Sequence, residues 1–201
     1  MCTQKQLTGM SLYSLLRTVC VALVVVAPVS VSPALQAAET GQIDVRDAHV
    51  WHDEDGWFLD AQCDIRLSPG AREALENGIP LMFELRVQIV RTHDWLWDKV
   101  KYERTQLRQL QFHALSRSYL VKDIESGRQG VYNRLDDALY AAGLIDSLLL
   151  TSETLDRDSN YIVRLRGSHD IESLPTPVRL LAYVSSEWDM HSRWYTWPLA
   201  R

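Results

Sequence analysis

Apolar and polar positions alternate with a period of two along much of this chain. The clearest case is Trp57 to Leu67. Trp57, Leu59, Ala61, Cys63, Ile65 and Leu67 share one parity, and Asp60, Gln62, Asp64 and Arg66 share the other. Such alternation predicts a strand with one dry face and one wet face. Ile43 to Trp51 predicts a preceding strand, and Asp53-Glu54-Asp55-Gly56 a turn in which Gly56 takes a positive φ. The strongest pattern is Leu81, Phe83, Leu85, Val87 and Ile89 against Glu84, Arg86 and Gln88. His93 to Asp98 turns the chain into a partner strand, Lys99 to Phe112. The apolar parity of that partner changes between Tyr102 and Leu107, which predicts a bulge. Tyr119–Val121 and Gly130–Tyr132 flank the turn Glu125-Ser126-Gly127 as a hairpin. Further strands are predicted at Tyr161–Leu165, at Val178–Val184 after an extended Leu174-Pro175-Thr176-Pro177 linker, and at Ser192–Pro198. Ile145–Leu150 is apolar and fits either strand or helix.

Two segments break the period of two. Ser68 and Pro69 suit the start of a short helix, with Gly78 at its exit and Pro80 beyond it. Asn133 suits the cap of a second helix, with Leu135, Ala138, Leu139 and Ala142 on one face and Gly143 at its end. No strand–helix–strand rhythm repeats. The expected fold is therefore mainly β, an antiparallel sandwich-like domain of about 8–9 strands with two short helices.

The first 37 residues follow another rule. Lys5 and Arg17 precede an uncharged stretch from residue 18 to residue 38, with an apolar run from Val19 to Ala27 and the small residues Ala37 and Ala38 at its end. That is the layout of a secretory signal peptide, and a cut after Ala37 or Ala38 leaves residues 38–201 as a single β-rich exported domain. The other outcome for residues 1–37 is an uncleaved anchor, because the uncharged stretch approaches the length of a membrane span. Either outcome puts the domain outside the cytoplasm, periplasmic or secreted in the first case and held at the inner membrane in the second. Of the 21 basic residues Lys5 and Arg17 lie in the leader, which leaves 19 against 26 acidic ones, a net charge near −7. A surface of that sign repels phosphate backbones and argues against a nucleic-acid partner. With Cys2 and Cys20 in the leader, Cys63 stands alone and closes no internal disulfide.

Several stretches together resemble a known family: Ala74-Leu75-Glu76-Asn77-Gly78-Ile79-Pro80-Leu81, the Trp95/Trp97 turn, Leu115 to Tyr119, Leu174-Pro175-Thr176-Pro177, and the Trp188, Ser192, Trp194, Trp197 ending. They are similar to the bacterial domain-of-unknown-function family 4390, often labelled proline-rich signal-peptide proteins. The resemblance implies export and one domain. It brings no activity, ligand or site residue. Members are often encoded near a membrane histidine kinase, which implies a periplasmic accessory subunit of such a sensor as an alternative role.

Candidate chemistry is sparse. No HExxH, CxxC, G-x-S-x-G or glycine-rich phosphate loop occurs, so no cofactor and no catalytic residue is assigned. A small cell-wall hydrolase would need acids or histidines brought together by the fold. His49, His52 and Asp53 are the weak metal candidates at one hairpin end, where a solvated acidic turn is the plain alternative. Cys63, mid-strand on the apolar side, is expected to be buried and inert. Among seven tryptophans, Trp57 and Trp194 are expected to fill the space between sheets. Trp95 and Trp97 sit among charged residues in a turn, where they either fold back over the sandwich end or stay exposed to anchor a partner or touch a membrane. Arg86, Arg91, Arg104 and Arg108 on the long hairpin are the remaining partner-binding candidates, for an anionic glycan or a peptide carboxylate. The plain alternative is a solvated face paired with Glu84 and Glu103. The expectation is an exported binding module whose partner is an envelope protein or a cell-wall ligand.

Overall fold

The alternating segments become strands, and the most strongly alternating one becomes the centre of the larger sheet. The computed structural model describes residues 40–93, 97–156 and 158–199. The expected leader, residues 1–37, and Trp95 lie outside them. The strands are β1 (Gln42–His52), β2 (Trp57–Arg66), β3 (Leu81–Thr92), β4 (Lys99–His113), β5 (Ser118–Asp123), β6 (Gln129–Tyr132), β7 (Leu144–Thr151), β8 (Asn160–His169) and β9 (Tyr195–Pro198). The α-helices are α1 (Pro69–Glu76), α2 (Leu135–Gly143) and α3 (Thr176–Val184), and short 3-10 turns occupy Ile171–Ser173 and Ser186–Trp188. One sheet has the order β1-β2-β7, and the other has the order β6-β5-β4-β3-β8-β9. Every neighbouring pair is antiparallel. The fold is thus the expected mainly β, two-sheet, sandwich-like arrangement.

The dry faces of the sheets make one core. Leu81, Phe83, Leu85, Val87 and Ile89 of β3 are buried, as are Leu59, Ala61, Cys63 and Ile65 of β2. Each large aliphatic or aromatic side chain so buried contributes about 1.5–3 kcal/mol relative to exposure. The sheets approach closely at Gly167, where a Cβ would meet Ile43 Cγ2 at 2.7 Å. Another close approach occurs at Gly143, the last residue of α2. A Cβ there would lie 2.0 Å from the carbonyl oxygen of Cys63. The absence of a side chain lets α2 end against β2 and lets β7 begin at the next residue.

Capping follows the expectation at α1. The Ser68 hydroxyl accepts a hydrogen bond from the Ala71 amide at 3.2 Å, Pro69 opens the helix, and Gly78 takes a φ of 83° just past Asn77. At α2 the cap is Arg134, one residue beyond the expected Asn133, and no side chain caps it. Asp136 and Asp137 in the first turn supply the favourable charge instead. Gly56 takes its positive φ at the β1–β2 turn.

Three local expectations change and one left open is decided. Residues 178–184 form helix α3 where alternation predicted a strand, so the described α-helices number three. Val178 and Ala182 recur at helical spacing on the packed side, and Pro177 sits in the first turn, where its missing amide costs nothing. The final strand is shorter than Ser192–Pro198, because Ser192 to Trp194 approach β8 without forming a ladder. Residues 144–151, ambiguous by pattern, form β7. The bulge in β4 falls at Lys101, since Ile89 pairs with Tyr102 and Val90 with Val100. From Tyr102 to Leu110 the ladder is unbroken. The apparent parity change has another cause: Arg108 and Gln106 point into the fold and Leu107 points out.

Candidate functional site

The β3–β4 turn carries the aromatic candidates. β3 ends at Thr92 and β4 begins at Lys99, and between them His93, Trp97 and Asp98 are described. Trp97 keeps 93 % of its surface exposed. Of the two arrangements open to it, the indole adopts the exposed one.

The four hairpin arginines are dispersed by parity. Arg104 is exposed, with no ion-pair partner among the described residues. Arg91 meets Asp156 at 3.5 Å. Arg108 faces the interior and forms an ion pair with Asp123, both side chains only 7 % exposed. Arg108 also donates to Gln106 Oε1 at 2.9 Å and to the Leu144 carbonyl at 3.4 Å. Asp123 Oδ1 accepts the amides of Glu125 and Ser126 at 2.9 and 3.1 Å. Burial pushes the Asp123 carboxyl up, but the Ser126 amide and the Arg108 charge outweigh it and hold the group below its ordinary range. This pair is a structural tie between β4, β5 and the start of β7, and it borders a cavity of about 240 Å³ shared with Arg128, Tyr132 and Asp146.

Arg86 alone of the four lies on the solvent face of the six-stranded sheet. Its guanidinium holds Glu84, two residues away, with Nε–Oε1 at 2.7 Å. The register sets three further groups around it. Arg166 of β8 lies directly opposite Arg86, and Arg164 lies opposite Gln88 in the neighbouring row. Arg164 Nε donates to Gln88 Oε1 at 2.5 Å, and Gln88 in turn donates to Glu103. The Arg164 guanidinium also lies over the Trp194 ring, 4.7 Å from its centroid. Trp194 therefore belongs to the outer face and not to the space between sheets. Trp57, by contrast, is buried as expected. Arg164, Arg166 and Trp194 were not singled out from the sequence as site residues. Their signal was the alternation of Arg164 and Arg166 with Val163 and Leu165, which becomes meaningful only once β8 is known to pair with β3.

The histidines do not converge with acids into a metal site. Among the described residues no group of three or more His, Cys, Asp or Glu side chains could hold an ion. His52 packs its ring on Trp57, 4.7 Å between centroids, and Asp53 Oδ1 caps the turn by accepting the amides of Asp55 and Gly56. His49 stands opposite Asp60, whose oxygens already accept Trp51 Nε1 and the Ser147 amide, each at 2.7 Å. His169 is different, being buried against Phe83 and Trp188 at 5.8 and 5.9 Å. Burial lowers its pKa, opposed only in part by the Trp188 backbone and Asp170. Cys63 is fully buried in the core, and burial pushes its thiol up to about 12. A thiol held there stays protonated at neutral pH and packs as a small apolar group.

These features define a two-sheet antiparallel domain with an exposed Trp97 and an arginine-bearing outer face. The chain belongs to the family described as Domain of unknown function (DUF4390), whose model matches residues 40–198. No curated protein and no solved structure matches it.

Proposed function

We propose that this chain is an exported protein of the bacterial envelope and that its domain is a non-catalytic binding module. In this reading the β3–β4 turn presents Trp97 to an envelope protein. The observation that carries it is the exposure of that indole at the end of a long ladder. A large apolar side chain held in water gains most when a partner covers it, and tryptophan is enriched among residues that dominate interface energies. The leader supports export, and the acidic balance of the domain argues against nucleic acid and anionic lipid heads as partners. The inert Cys63 and the dispersed histidines supply no reacting group.

The test is affinity capture from a solubilised envelope extract with the tagged full chain, compared with Trp97→Ala. Loss of one defined partner, at a cost of about 2 kcal/mol in affinity, or roughly thirty-fold, is the expected outcome. Equal recovery of every partner by the variant refutes the role of the turn. Fractionation and N-terminal sequencing of the native protein test export separately. An intact Met1 in the cytosolic fraction would remove the envelope from the proposal.

A further inference from the structure

The outer face of the six-stranded sheet carries a feature that interaction through the β3–β4 turn does not use. Arg86 and Arg166 are placed directly across from each other on adjacent central strands. Directly opposed residues have Cα atoms about 4.5–5.5 Å apart, and like charges there are destabilising. Arg86 relieves its own charge on Glu84. Arg164 is fixed between Gln88 and the Trp194 ring. The Arg166 side chain has no ion pair or hydrogen bond among the described residues, and its Nε is buried without a partner. Its two Nη groups are neither buried nor hydrogen-bonded, so a ligand oxygen that reaches them supplies the acceptor that the guanidinium lacks.

Charge accounting narrows the ligand. On β3, β4 and β8 this face holds Arg86, Arg164 and Arg166 against Glu84 and Glu103, with Lys122 two strands away on β5, so beside Arg86 and Arg166 one positive charge is left unbalanced, and it lies at Arg166. A monoanion completes the balance, whereas a dianion would bring excess charge toward the two glutamates. The planar guanidinium fork matches a carboxylate in geometry. We propose that Arg166, flanked by Arg86 and Arg164, is the seat of a binding site for a carboxylate, with Trp194 forming one wall. An organic acid or an acidic sugar has the required chemistry. Arg166 makes the direct contact, while Gln88 and Glu103 position Arg164 through their hydrogen-bonded row.

Titration calorimetry of the purified full chain at low ionic strength tests this, using glucuronate, uncharged methyl glucoside and inorganic phosphate as probes. Saturable binding of glucuronate is expected, with none of methyl glucoside and weaker binding of phosphate. Arg166→Gln is expected to weaken glucuronate binding by about ten-fold, and Arg166→Lys, which keeps the charge and loses the fork, by less. Trp97→Ala leaves glucuronate binding unchanged, which keeps this site separable from the proposed role of the turn. Thermal melts supply a second readout. Glucuronate raises the midpoint of the parent and not that of Arg166→Gln, whose own midpoint without ligand equals or exceeds the parent's. Absence of saturable glucuronate binding, unchanged binding by Arg166→Gln, or tighter binding of phosphate than of glucuronate would each overturn the assignment.

Discussion

Replacing Arg108 by methionine isolates the energetics of the buried Arg108–Asp123 pair. Both side chains are 7 % exposed, so the substitution leaves a carboxylate with little surface open to water beyond the adjoining cavity. Removing one member of such a pair costs about 3–5 kcal/mol when the survivor has no other partner. Here the survivor keeps two, the amides of Glu125 and Ser126 on its Oδ1. The expected cost is therefore about 3 kcal/mol, at the lower end of that range. Two further consequences fix the cause. The carboxyl, released from the Arg108 charge, has its pKa rise, so the deficit of Arg108→Met shrinks as pH is lowered and the group protonates. Adding Asp123→Asn removes the orphaned charge while keeping an acceptor for the two amides. The double variant should recover most of the loss, to within about 1–2 kcal/mol of the parent, because a neutral replacement of an ion pair is often nearly isoenergetic. Urea unfolding of the parent, both single variants and the double variant at pH 7 and pH 5 measures all of these terms. A cost below about 1 kcal/mol for Arg108→Met, or additive single effects in the double variant, would refute the view that this pair ties β4 to β5 by mutual neutralisation.

Three other predictions follow from the packing. Gly143→Ala drives a methyl group to 2.0 Å from the Cys63 carbonyl oxygen, so a destabilisation of about 3 kcal/mol is expected in urea, from backbone that cannot yield. Cys63, buried with its pKa pushed up to about 12, should resist iodoacetamide at pH 8 in the folded chain and react once urea unfolds it. His169 has a folded pKa below its unfolded value, so its contribution is fully present above about pH 6.5 and stability falls as pH drops below it, where the unfolded chain binds the extra proton. His169→Phe should flatten that part of the stability–pH profile, and an unchanged slope between pH 7 and pH 5 would exclude the residue as its source.

How much of this was legible in the residues depends on whether a signal is local. The dry parity of β2 and β3 is a local signal, and both strands lie where alternation puts them. Cys63 and Trp57 inherit their burial from it. The helix at residues 176–184 was illegible because Val178, Leu180, Ala182 and Val184 satisfy a period of two as well as an apolar helix does. The choice is made elsewhere, by β9 taking the place beside β8. Leu107 and Arg108 mislead for a related reason. A buried arginine with a long-range acid looks like a wet-face residue until Asp123 is seen on the next strand. The outer arginine face is the extreme case. Arg86 and Arg166 are 80 residues apart, and only the β3–β8 register brings them together. No spacing rule reports a pairing of that kind.

The free margin of the smaller sheet has its own consequence. Among the described residues β1 runs for 11 residues with only β2 paired to it, a length that invites a second molecule to add a strand. Its ladder slips between Val45 and Asp47, which leaves Arg46 outside the pairing, and Asp44 and Asp47 stand on either side of it. An interrupted, charge-studded margin is a poor template for stacking one copy upon the next. The irregularity at Arg46 thus disfavours the addition of a further strand along this margin.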